Sequence, residues 1–130
     1  MQIRRTSFGL AAASLLSTRV GAQTFEPRPP TGKELARHAL TGPLEGDEVT
    51  LTEGTFYGAS SPEHTHPSFV LGYVLEGQLR FAINHEPERI VPAGGTFFEP
   101  LGGLHTTHGS ATPNGGVRFL TFRVVSKGAR

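Results

Sequence analysis

Three of the six histidines in this 130-residue chain have a spacing that suits chemistry. His64-Thr65-His66 is a pair separated by one residue. In an extended strand, residues i and i+2 project to the same face, so two imidazoles stand side by side and can grip one metal ion. A third nitrogen is available from His105, which follows the turn Pro100-Leu101-Gly102-Gly103 and opens another extended segment. Three neutral nitrogens on one side of a cation leave its other positions open to water, substrate or dioxygen. Taken alone, the pair also suits the surface of a hairpin. The other chemistries are excluded more firmly. The chain has no Cys, which removes thiolate metal sites, iron–sulfur clusters, disulfides and cysteine nucleophiles. Asp47 is the only Asp and no serine sits in a nucleophile elbow, so a Ser-His-Asp hydrolase is not expected. Gly94-Gly95 and Gly102-Gly103 lack the helix start and lysine of a phosphate-cradling loop.

The elements that must hold these histidines read as strands. The 17 Gly and 10 Pro are spread along the chain, a pattern of many short elements joined by tight turns. Residues 23–46 form an extended lead-in, in which Lys33 to Leu40 suits either one or two helical turns or a first strand. From Asp47 the strand signals become regular: DEVTLTEGTFYG, SFVLGYVLEG, QLRFAIN, ERIV, GTFFEP and GVRFLTFRVV, each bounded by Gly, Pro, Asn or Ser. Leu79, Phe81 and Ile83 alternate with Arg80, Ala82 and Asn84. In the last strand Leu120, Phe122 and Val124 share one face and Phe119, Thr121 and Arg123 the other. One all-β domain over residues 47–126, a sandwich or small barrel, is the expected fold.

Gly58, His64, His66 and Gly77, then Gly94, Pro100, Gly102 and His105, resemble the two motifs of the cupin superfamily. The resemblance runs from about Thr50 to Val125 and implies a double-stranded β-helix, the jelly-roll barrel. It also implies a metal held by His64, His66 and His105. Two positions depart from the pattern: Val70 stands where the family's first motif has its glutamate ligand, and Gly109 where the second has asparagine. Three of the four usual ligands are therefore present. A replacement acid is available from Glu99, or from Glu53 if its strand faces inward. His108 lies three residues after His105, so a regular strand turns it to the opposite face, and only a bulge brings it back as a further ligand or acid/base. Val70, Tyr73 and Phe81 are the pocket candidates, while His38 and His85 read as surface residues. Imidazole donors suit iron, copper, zinc or nickel, and manganese loses more from the missing carboxylate. The resemblance implies an enzyme of oxygenase, isomerase or lyase type acting on a small molecule, with a non-catalytic module binding a sugar, small acid or metal as the alternative. It further implies a homodimer, with Lys33 to Leu40 packing or exchanging between subunits.

Residues 1–22 have the layout of a cleavable export signal. Arg4 and Arg5 precede an apolar run from Phe8 to Leu16, and Val20-Gly21-Ala22 supplies the small-residue end. The run is too short for a permanent membrane anchor. The paired arginines resemble a twin-arginine signal, although Ile3 and the extra residue of Thr6-Ser7 depart from it, which leaves unfolded export open. Either route leads to a periplasmic or secreted protein. Without Arg4, Arg5 and Arg19, nine of the 12 basic side chains face 11 acids. A mildly acidic domain with no basic stripe is not built for nucleic acid.

Overall fold

The computed structural model describes residues 28–58, 60–112 and 115–126, so residues 1–22, the expected export signal, lie outside the described residues. Nine strands form two antiparallel sheets: β1 (Arg28–Ala39), β2 (Glu48–Tyr57), β3 (His64–Thr65), β4 (Val70–Glu76), β5 (Gln78–Ile83), β6 (Arg89–Pro92), β7 (Thr96–Glu99), β8 (Leu104–Ser110) and β9 (Gly116–Val125). The first sheet has the order β1-β2-β9-β4-β7 and the second β3-β8-β5-β6. No α-helix occurs among the described residues. The two sheets face one another as a jelly-roll barrel, and Phe56, Val74, Phe97 and Phe119 of the first meet Leu79, Phe81 and Val91 of the second in the core. Burying each such side chain contributes about 1.5–3 kcal/mol. The expected alternation holds in β9, where Val117, Phe119 and Thr121 are buried and Phe122 is exposed.

Lys33 to Leu40 resolves the choice left open by the sequence: Lys33 to Ala39 continues β1 and pairs with β2 of the same chain. The β1–β2 ladder is interrupted there by a bulge, since Glu34 faces Thr52 and Ala36 faces Leu51, leaving Leu35 extra. The bulge switches which β1 residues share the inner face, so Glu34 and Arg37 both lie toward the barrel mouth.

Cross-strand register sets the inner surface of the first sheet in rows. One row runs Arg37, Thr50, Arg123, Val70, Glu99 across all five strands. The next runs Glu34, Thr52, Thr121, Gly72, Phe97. Glycine in that second row is a packing requirement, because a Cβ on Gly72 would lie 2.0 Å from the Phe97 ring. Phe97 is 2% exposed and has no room to retreat. Gly72→Ala is therefore expected to lower unfolding free energy by about 1–3 kcal/mol, the usual cost of overfilling a packed core. Urea denaturation at constant m-value measures it, and a variant as stable as the wild type contradicts this packing account.

Candidate metal centre

The three histidines with meaningful spacing converge at one end of the barrel. His64 on β3 is the direct cross-strand partner of His105 on β8, with ring centroids 5.1 Å apart. His66, just beyond β3, brings its Nε2 within 3.1 Å of His64 Nε2. The backbone around them is pinned. Asn84 Oδ1 accepts from the Leu104 amide at 2.9 Å, fixing the residue before His105, and the Gly102 amide donates to the His66 carbonyl at 3.3 Å. His64 Nδ1 donates to the Pro62 carbonyl at 2.7 Å. A carbonyl only accepts, so this bond places the ring proton on Nδ1 and leaves the Nε2 lone pair facing the cluster. That outer bond is the usual device for presenting a histidine to a metal.

The structure adds two groups that spacing alone left open. Glu99 is 2% exposed and faces inward from β7, with Oε2 3.4 Å from His66 Nε2 and Oε1 3.3 Å from His105 Nδ1. Its cross-strand partner is Val70. The carboxylate missing from position 70 is thus supplied one strand away, on the same face. His108 is also inward. Ala82 pairs with Thr107 and Ile83 with His105, so Thr106 is an extra residue in β8, and this bulge restores His108 to the face of His105. The two rings stack at 4.1 Å, and Phe56 meets His108 edge-on at 4.6 Å.

The donor chemistry fits a metal ion. Ligand atoms of His64, His66 and His105 lie within 4.8 Å of one another, as do those of Glu99, His105 and His108. Glu99 Oε2, both ring nitrogens of His105 and His108 Nε2 are buried without a hydrogen-bond partner. Buried polar atoms are nearly always paired, and one ion bound among several such donors would satisfy them together. Tetrahedral ligands about 2.0–2.1 Å from one ion stand roughly 3.3–3.4 Å apart, the separations seen at Glu99. Two of the imidazoles, His66 and His108, are favoured in the neutral form that binds a metal. Burial pushes the His66 pKa down, helped by the Arg123 charge and by His64 and His105, against the opposing pull of Glu99. For His108, burial first and then the other three histidines and Arg123 push it down to about 2. Imidazole with one carboxylate selects transition metals over magnesium or calcium.

The remaining candidates divide by strand parity. Val70 is fully buried beside Glu99, and Phe81 is buried with its ring edge-on to His105 at 5.1 Å. Tyr73 corrects the expectation of a pocket hydroxyl: Val70 and Val74 of β4 face inward, so Tyr73 faces outward and is 45% exposed. It lines an external groove with Leu71, Leu120 and Phe122. Glu53 also faces away from the histidines, because Gly54 and Phe56 occupy the inner face of β2. His38 and His85 are exposed. Sequence reasoning missed Arg123, which shares the inner face of β9 with Phe119 and Thr121. It lines two cavities together with His66 and Thr52. One, of about 190 Å³, reaches His64, His108, Phe56 and Phe119, and the other, of about 470 Å³, opens toward Glu34, Arg37, Glu48 and Ser68.

A family model described as the AraC-like ligand binding domain matches residues 48–125. The chain belongs to this family. No curated protein sequence matches the AraC-like domain found here. Among solved structures, a cupin superfamily protein from Desulfitobacterium hafniense DCB-2 aligns with TM-score 0.59 and 15% identity, over 78% of this chain and 82% of that one. The polyketide cyclase RemF from Streptomyces resistomycificus aligns with TM-score 0.57 and 26% identity, over 75% and 66%. A chain from the crystal structures of the DMSP lyases RdDddP and RnDddQII aligns with TM-score 0.52 and 22% identity, over 58% of this chain and only 37% of that one. These likenesses establish the AraC-like domain as a cupin barrel. The chain is thus a cupin-type ligand-binding domain, and no helix among the described residues is long and apolar enough to cross a membrane.

Proposed function

We propose that this AraC-like cupin domain is a metal-dependent enzyme acting on a small molecule, with His64, His66, His105 and Glu99 holding a divalent transition-metal ion. The reading is carried by the cluster of buried, unpartnered donor atoms on Glu99, His105 and His108 beside the HxH pair. A bound divalent ion would supply Lewis-acid stabilisation of negative charge on a substrate oxygen. The chain's own residues do the rest. Phe56 and Phe119 keep one wall of the cavity apolar, which strengthens every electrostatic contact made inside. Thr52 and Ser61 offer hydroxyls at its other wall. The neighbouring lyase and cyclase structures support an enzymatic role by fold analogy. The layout of residues 1–22 supports export, and placement outside the cytoplasm is part of this proposal.

Elemental analysis of the purified protein, beside a His64→Ala, His66→Ala double variant, tests the metal. Near-stoichiometric transition metal in the wild type and its loss in the variant is the expected result. A wild type that takes up no iron, copper, zinc, nickel or manganese on loading contradicts it. The family match favours one second reading, a barrel that binds its ligand without turnover. His105→Ala separates the two: an enzyme loses turnover, whereas a binding module loses only ligand affinity.

A further inference from the structure

Arg123 is the one charged side chain shared by both cavities at the histidine cluster. Its Nε is buried without a hydrogen-bond partner, and among the described residues it joins none of the ion pairs. Arg37, at the far end of the same row, differs: it is neutralised by Glu34 at 2.7 Å and Glu48 at 2.5 Å. A guanidinium beside a cavity, desolvated at Nε and lacking a carboxylate, is an incomplete pair.

The register explains why the partner is missing. Val70 is the direct cross-strand neighbour of Arg123 on the inner face, and Glu99 is the next residue along the row. Directly opposed side chains have Cβ atoms about 4.5–5.5 Å apart, so a carboxylate at position 70 would pair with Arg123. With valine at position 70 and the acid moved to β7, the guanidinium has no internal partner. Glu99 lies two strands away, about 10 Å between backbones, too far to pair with it directly, whereas one cavity joins Arg123 to His64, His66 and His108.

We propose that Arg123 anchors the carboxylate of a small organic acid, whose other end reaches His64 and His66 of the histidine cluster through the cavity they share with Arg123. This deepens the reading of the same site and rests on it for the position of the reacting end. A singly charged acid suits a single unpaired guanidinium, while Glu34 and Glu48 at the cavity mouth oppose a doubly charged phosphate.

Calorimetric titration of the zinc-loaded and the chelator-stripped protein tests it, using lactate and gluconate against their neutral counterparts lactamide and glucitol, with inorganic phosphate as a third probe. The acids are expected to bind about tenfold or more tighter than the neutral compounds, and Arg123→Met to abolish that preference. Arg123→Lys keeps the charge and recovers part of it. Val70→Glu, which supplies an internal partner, weakens acid binding with Arg123 still present. Melting curves verify folding, and Arg123→Met is expected to melt no lower than the wild type because it removes an unpartnered buried donor. Equal binding of acids and neutral compounds, an unaffected Arg123→Met variant, or tighter binding of phosphate than of either acid each overturns the proposal. The metal reading fails separately: a protein that takes up no zinc yet prefers acids through Arg123 refutes the metal and upholds the anchor.

Discussion

Glu99→Gln is expected to lower affinity for a divalent transition metal roughly 100-fold or more, about 2.8 kcal/mol, with little change in fold. The substitution preserves shape and removes the one carboxylate from a cluster whose other donors are imidazoles. Groups that merely orient ligands already cost 10- to 100-fold when lost, and a carboxylate 3.3–3.4 Å from two donor nitrogens is closer to the ion than those. Val70 offers no substitute from the neighbouring strand. Competition for zinc or cobalt with a chromogenic chelator measures the change, with Glu86→Gln on the exposed surface as control. Unchanged affinity would mean that the histidines alone hold the ion and that Glu99 has another task.

Acid should destabilise the metal-free protein through His108. Its pKa is near 6.5 in the unfolded chain and about 2 in the folded one, where burial dominates. Between those values the unfolded state binds the proton and the folded state does not. The contribution is therefore intact above pH 6.5 and is lost progressively as pH falls toward 2, at about 1.4 kcal/mol per pH unit. Descending from pH 6.5 to 4.5 should remove about 2–3 kcal/mol. His66 acts in the same direction, its pKa being lowered mainly by burial. His108→Phe, set among Phe56, Phe97 and Phe119, should flatten much of this slope. Urea titrations of stripped protein across that range measure both. Equal slopes for variant and wild type would show that His108 is already protonated, or solvated, in the folded state.

The fold was legible because its cause is local. Alternation in segments such as QLRFAI and GVRFLTFRVV, closed by Gly and Pro turns, depends only on adjacent residues. The three histidines were legible because two are one residue apart in an extended segment and the third follows a turn of recognisable spacing. What stayed hidden was relational. Whether Glu99 or Glu53 faces the barrel depends on strand parity, and parity is fixed by partners distant in sequence. Tyr73 shares a strand with Val70 yet faces the other way. Arg123 was assigned to a face correctly, but its meaning came from Val70 opposite it, in another strand.

The bulge at Thr106 changes how β8 should be compared with β3. A bulge takes one residue out of step, so beyond it positions are offset by one from their place in the sequence. With Thr106 set aside, His105 and His108 occupy alternate places on one face, the same arrangement as His64 and His66. The second strand thus carries a disguised HxH pair, written in sequence as HxxH. The paired segments around β3 and β8 each contribute two imidazoles, with His66 and His108 on opposite sides of the facing His64–His105 pair. A search keyed to fixed intervals counts one pair, and only the backbone's local frameshift discloses the other.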